Sequence, residues 1–267
     1  YGEKLSAYGF TKPTKRKFIL KGWKSGSAAA AMVETFPAKN TDYTAEWEKE
    51  PLLKYTVNHW QQKLGANGKV LGAEHNNTNF EKTAGEELSG ERGDMTNAQA
   101  KDVTSGAYKG FVLPTFMQKT IDDNTVIDLY YLRKDVTLTF KGNGGQIKRV
   151  LSRDENGTPT YSEAKDEIVL TGKYGEKLDP NDDVPLPAAA DRLNANGDKF
   201  AGWNETPKTE FLENTIYSAK WTQLENLEIT NPANVTTYFV GEKTLNRTGL
   251  QVKAVYKDNS RTIVTDQ

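Results

Sequence analysis

The pentapeptide Tyr-Gly-Glu-Lys-Leu occurs twice, at Tyr1–Leu5 and at Tyr174–Leu178. Each copy runs on into a proline-containing stretch, Thr11-Lys12-Pro13-Thr14 in the first and Val184-Pro185-Leu186-Pro187 in the second. A Gly-Trp step follows, Leu20-Lys21-Gly22-Trp23 and Phe200-Ala201-Gly202-Trp203, and each copy closes on Tyr-x-Ala-x-Trp, Tyr43–Trp47 and Tyr217–Trp221. Four of the five tryptophans, Trp23, Trp47, Trp203 and Trp221, therefore hold matched places. Self-similarity of this kind marks tandem small units, each burying its own core.

The alternation within each copy is that of a half-buried strand: Tyr217, Ala219 and Trp221 against Ser218 and Lys220, and Tyr43, Ala45 and Trp47 against Thr44 and Glu46. Gly22 and Gly202 precede a large indole and let the backbone turn or approach closely. Val136–Phe140 predicts a strand running into the turn Gly142-Asn143-Gly144-Gly145, and Asp154-Glu155-Asn156-Gly157 a second turn before Ile168-Val169-Leu170. Between Pro187 and Asn194, proline at the start and Asn196-Gly197 after the end predict one short helix. Ala28–Met32, after Ser25-Gly26-Ser27, predicts one helical turn. The first copy has no counterpart of Val136–Gly145, which suggests a fragment whose first module lacks its opening strand and leaves a sheet edge unpaired.

The two copies resemble the Listeria–Bacteroides repeat, the internalin-type B repeat found in tandem on bacterial surface proteins. The resemblance rests on Phe140–Gly145, Tyr174-Gly175-Glu176, Gly202-Trp203 and Ile216–Trp221 in the second copy; the first lacks the opening strand and carries Asp42 where Ile216 stands. It implies a small β-grasp-like domain curled around a short helix. Between Pro51 and Lys134 the strand patterns Tyr55–Gln62 and Val126–Tyr131, the step Tyr108-Lys109-Gly110-Phe111 and the hairpin-like turn Asp122-Asp123-Asn124 resemble a mucin-binding-protein-like unit, also β-grasp-like. Beyond Thr222, Leu227–Thr230, Tyr238-Phe239-Val240-Gly241-Glu242 and Leu250–Tyr256 resemble the first strands of a bacterial immunoglobulin-like domain. That stretch is shorter than the ~100 residues of such a sandwich, so a compact or truncated variant is expected.

Chemistry was sought in the same residues. There is no cysteine, which excludes thiolate metal sites, a cysteine nucleophile and disulfides. The 35 Lys+Arg balance 36 Asp+Glu, which argues against a nucleic-acid binder. No apolar run is long enough to span a membrane, and the first residues carry no secretion signal. Of the two histidines, His59 sits beside Trp60 in an alternating strand and His75 in a polar run, places where histidine is usually structural. Gly-x-Ser-x-Gly and His-Glu-x-x-His are absent. Asp179-Pro180-Asn181-Asp182-Asp183 resembles a calcium loop but has Val184 where an EF-hand needs glycine. The basic run Lys12–Lys17 suits either a solvated loop or a phosphate or acidic-glycan contact. The paired tryptophans read as core anchors. Trp60, outside the repeat, is the candidate for stacking on carbohydrate.

The resulting expectation is a mainly β chain of α+β modules: a partial B-type repeat (1–49), a mucin-binding-protein-like unit (50–134), a complete B-type repeat (135–222) and an immunoglobulin-like β-sandwich (223–267), arranged as an elongated string. The resemblance implies a monomeric, non-catalytic, extracellular segment of a bacterial cell-surface protein with no cofactor and no metal. Its implied task is to project other domains or to contact a host surface protein or glycan. A dedicated glycan-binding module and an accessory region of a large secreted polysaccharide-degrading enzyme are the alternatives.

Overall fold

The computed structural model of the chain describes residues 3–4, 12–26, 28–30, 39–189, 192–241, 244 and 246–264. Tyr1, Gly2 and Leu5 of the first pentapeptide, Thr11, Ser27, Ala31, Met32, Ala190, Asp191 and Glu242 lie outside the described residues. The chain divides into two compact units, Tyr1–Gln62 with Ala73–Leu132, and Lys63–Gly72 with Arg133–Gln267. The fold is mainly β: among the described residues the helical element is one 3-10 turn, Gly106–Tyr108.

The first unit holds β1 (Phe18–Ser25), β2 (Ala28–Ala30), β3 (Thr44–Lys49), β4 (Leu53–Gln62), β5 (Phe80–Gly90) and β6 (Val126–Tyr131). One antiparallel sheet has the order β2-β1-β3 and the other, mixed, the order β5-β4-β6. The alanine run is strand, not helix: Gly26 at φ +62° turns the chain so that Ala28–Ala30 pairs with Trp23–Ser25. A few alanines cannot offset the cost of nucleating a helix.

In the second sheet β4 and β6 are parallel neighbours, and parallel strands need a long crossover. Here the crossover is extended chain, so its backbone must find partners other than a helix ladder. Side chains supply them. Tyr55 Oη accepts from the Asn97 N–H (3.0 Å), Tyr131 Oη from the Lys101 N–H (2.7 Å), and the Gln118 amide bonds both the N–H and C=O of Ala98 (2.9 Å each). Ala98, Phe111 and Ile121 from this segment close the core over Tyr55, Val57, Ile127, Leu129 and Tyr131. Gly110, at φ +87°, sits in the turn that carries Phe111 inward. Asp122-Asp123-Asn124 does turn, with Asn124 at φ +60°, but it delivers the chain to β6 parallel to β4, so the expected hairpin is absent.

The second unit holds β7 (Asp135–Lys141), β8 (Ile147–Lys148), β9 (Val150–Arg153), β10 (Pro159–Tyr161), β11 (Glu167–Lys173), β12 (Leu186–Pro187), β13 (Lys199–Trp203), β14 (Thr215–Thr222), β15 (Leu224–Asn231), β16 (Gln251–Tyr256) and β17 (Arg261–Ile263). Its main sheet runs β11-β7-β14-β13, with β7 and β14 parallel. Val136, Leu138, Phe140, Ile147 and Tyr217 are fully buried in its core. Glu176 of the second pentapeptide is buried because both carboxylate oxygens are used, accepting from the Val70 N–H (2.9 Å) and the Lys173 N–H (3.1 Å).

Among the described residues of 187–194, which leave out Ala190 and Asp191, the expected helix does not form. Pro187 pairs with Ile147 in the β12–β8 ladder, the Ala188 N–H donates to Gln146 O (2.9 Å), and Leu193 bridges Lys199. Two prolines two residues apart hold Val184 and Leu186 extended, which hands the segment to a strand edge. The expectation of a mainly β chain holds, without the short helix of its modules among the described residues. In 223–267 the described residues form one three-stranded sheet, β15-β16-β17, with Ala254, Val255 and Tyr256 buried. Tyr238–Val240 is not strand: Tyr238 Oη accepts from the Asn246 N–H (2.8 Å), and Gly241 takes φ +104°.

Both copies of the repeated motif adopt one register. Leu20 pairs with Trp47, Gly22 with Glu46 and Trp23 with Ala45; Phe200 pairs with Trp221, Gly202 with Lys220 and Trp203 with Ala219. In each a β-bulge falls before the glycine, which re-aims the indole that follows. Among the described residues β3 pairs with β1 alone, whereas its counterpart β14 pairs with both β13 and β7. Gly202 sits at φ +105° with nothing near its missing Cβ, so its role is conformational. Gly202→Val is expected to destabilise the second unit by about 1–3 kcal/mol through backbone strain. Urea unfolding followed by tryptophan fluorescence checks this; an unchanged midpoint would remove the bulge from the account.

Candidate functional site

The matched tryptophans are half-buried. Trp203 packs edge-on against Phe140 (5.0 Å) and Phe200 (5.6 Å) beside the main core. Trp221 donates its indole N–H to Gly142 O (2.8 Å) and lies against Gly145, where a Cβ would come within 2.2 Å of the ring. This is why the turn after β7 is rich in glycine. In the first copy Trp23 lies within β1 and Trp47 within β3, with the Lys15 ammonium 6.0 Å from the Trp47 ring. The deepest core positions belong instead to Tyr217, Phe140 and their aliphatic neighbours.

The single strand β4 builds two different surfaces. Inward it presents His59, fully enclosed, with Nδ1 2.9 Å from Tyr131 Oη. Tyr131 Oη also accepts from the Lys101 N–H, so the hydroxyl joins the imidazole to the backbone of the crossover. Nε2 lies 3.3 Å from Glu86 Oε1 but out of hydrogen-bond alignment; Glu86 in turn pairs with the Lys101 ammonium. Burial first, then the Lys101 charge, pushes the His59 pKa below its ordinary value, against an opposing pull from Glu86. Lys101 holds the Glu86 carboxyl low. The Tyr108 ring, 4.7 Å from Tyr131, seals the cluster, and its hydroxyl bonds Thr83 Oγ1 (2.9 Å). An imidazole closed off in this way locks the core and has no face for a substrate.

Outward, β4 presents Asn58 and Trp60 beside Asp128 and Tyr130 of β6. One carboxylate oxygen, Asp128 Oδ1, accepts from both Asn58 Nδ2 (2.9 Å) and Trp60 Nε1 (2.8 Å). The Trp60 and Tyr130 rings stack (5.9 Å, 15°), His75 stacks on Tyr130 in turn (4.0 Å, 7°), and buried Phe80 meets Tyr130 edge-on. Trp60 was legible as a half-exposed aromatic. Asn58, Asp128 and Tyr130 were not singled out, because only the parallel β4–β6 register brings them together; their period-2 spacing within each strand was the available signal.

The remaining candidates have structural employment. Lys17 pairs with Glu91 (2.5 Å) and Asp94 (2.7 Å), Arg16 with Asp94 (3.2 Å), and Lys49 with Glu91 (2.7 Å). Part of the basic run is thus neutralised within its own unit. Flanked by Lys17 and Lys49, the Glu91 carboxyl is held down to about 2. In the calcium-like segment, Asp179 and Asp183 carboxylates accept backbone N–H groups and Asp182 pairs with Arg153 (2.7 Å).

Tyr131→Phe removes the partner of both His59 Nδ1 and the Lys101 N–H and is expected to cost the first unit about 1–3 kcal/mol, measured by chemical denaturation. Because folding depresses the His59 pKa, its contribution is intact above the unfolded value of ~6.5 and is lost as pH falls toward the lower folded value. Stability of the first unit should therefore decline on acidification below ~6.5 in wild type, and more weakly in His59→Gln. Equal pH dependence in the two proteins would disprove the assignment.

No family model matches the chain, and no curated protein matches it. Among solved structures it is similar to the Bacillus anthracis TIE protein, at 11% identity and a TM-score of 0.31. The match covers 85% of this chain and spans about half (52%) of that protein's length.

Proposed function

We propose that the chain is a non-catalytic, extracellular segment of a bacterial cell-surface protein whose small β modules act as stalk and adhesion elements. The observation that carries this reading is the parallel pairing of opening and closing strands. β4 pairs with β6 from Thr56↔Val126 to Gln61↔Tyr131, and β7 with β14 from Leu138↔Thr215 to Lys141↔Ser218. Parallel neighbours point the same way, so the chain enters each sheet at one end and leaves at the other. Tension along the chain then loads the ladder hydrogen bonds side by side, in shear, instead of peeling them one at a time. A segment that must hold position under load benefits from this arrangement; catalysis gains nothing from it.

The B-type resemblance of the repeat and the single register shared by its two copies support the same reading. Under this proposal the partners are a host surface protein or glycan, and the segment works as a monomer without cofactor.

Single-molecule pulling tests it. Stretched from its two ends, the chain should show its strongest ruptures from the β4–β6 and β7–β14 sheets. Pulling the same sheet from attachment points at Leu53 and Gly90, which unzips β4 from β5, should need much less force. Equal forces in the two geometries would refute the clamp.

A further inference from the structure

The outer face of the β5-β4-β6 sheet contains a polar group that the fold leaves without a partner. Asn58 is 8% exposed, and its Oδ1 is buried without a hydrogen-bond partner among the described residues. Its orientation is not free. Asp128 Oδ1 takes the Asn58 Nδ2–H, and flipping the amide would place oxygen against carboxylate. Oδ1 is therefore forced away from β6, toward β5. A buried acceptor left unpaired calls for an explanation.

The residue opposite Asn58 on β5 is Gly85. A Cβ there would lie 3.6 Å from Asn58 Oδ1 and 3.2–3.3 Å from the end of the Lys82 side chain. The missing side chain leaves a notch in the sheet surface, and the flexible tip of Lys82 lies over it. Lys82 itself pairs with Trp60 across the strands, and Trp60 with Tyr130. Swinging the lysine into solvent opens a recess with an amide oxygen on its floor, an indole on one side and an ammonium at the rim.

We propose that this notch binds one pyranose ring of a glycan. A pyranose combines the required features: a hydroxyl to donate to Asn58 Oδ1, ring and hydroxyl oxygens to accept from Lys82 Nζ, and an apolar C–H face to lie against Trp60. Aromatic side chains with one polar end suit such amphipathic partners, and a few fixed polar groups on an apolar surface set orientation. Asp128 acts as a positioning residue, holding both Asn58 and Trp60. The inference deepens the adhesion part of the function proposed above. It stands on residues other than the strand clamp, so a binding experiment and a pulling experiment can fail separately.

The test is an NMR titration of the 15N-labelled full chain with three probes: methyl α-mannopyranoside, methyl β-galactopyranoside and methyl N-acetyl-β-glucosaminide. At least one should produce saturable shifts of both the Asn58 side-chain amide and the Trp60 Nε1–H. Gly85→Val fills the notch and should weaken that binding at least about tenfold, roughly 1.4 kcal/mol. Lys82→Ala removes the rim donor and should weaken binding, while at saturation the Asn58 side-chain amide still shifts because the notch and its floor are unchanged. If Gly85→Val does not fold, Gly85→Ala places one carbon over Oδ1 and is expected to weaken binding in the same direction. The proposal is overturned if none of the three probes shifts both groups, or if the shifts survive undiminished in the folded Gly85 variant.

Discussion

Pairing the first strand of a sheet with its last, in parallel, leaves the intervening chain only one course: it must pass over the sheet. In the first unit that chain becomes the lid of the core, and in the second it contributes Ile147, Leu178 and Phe211 to the packed face. An extended crossover cannot satisfy its own backbone. The buried hydroxyls of Tyr55 and Tyr131 and the amide of Gln118 are therefore as necessary to the first unit as its aliphatic side chains.

Much of this was legible in the residues, at the level where short-range pattern decides. The duplicated Gly-Trp and Tyr-x-Ala-x-Trp segments fold onto one bulged register, and Val136–Phe140 is a strand that ends at a glycine turn. Local pattern failed where long-range pairing overrode it. Pro187 carries the mark of a helix start, yet Ile147 claims it for a ladder. Asn124 turns the chain as a hairpin would, but into a parallel neighbour. The matched tryptophans are half-buried, and Trp221 places its single N–H on the backbone carbonyl of Gly142. Asn58 and Asp128 are separated by 70 positions, and no spacing rule joins them without knowledge of strand order.

β4 shows how one strand can divide its labour by parity. His59 faces inward into a sealed, neutral cluster, while Asn58 and Trp60 on either side of it face outward around a single carboxylate. Each face holds one buried polar atom without a hydrogen bond, His59 Nε2 inside and Asn58 Oδ1 outside. Inside, Nδ1 meets the tyrosine hydroxyl; outside, the amide oxygen is held in place with no bond of its own.

The order of chain appearance matters for a sheet closed in this way. β7 cannot find its central neighbour until residues near Ser218 have been made, some 77 positions after Lys141. Contacts of such sequence separation form slowly, since the loop must close before any ladder bond rewards it. While the ribosome is still at work, β4 can pair with β5 and β7 with β11, but each sheet is closed only when its final strand emerges. Until that moment one side of β4 and of β7 waits unpaired for a strand still to be made.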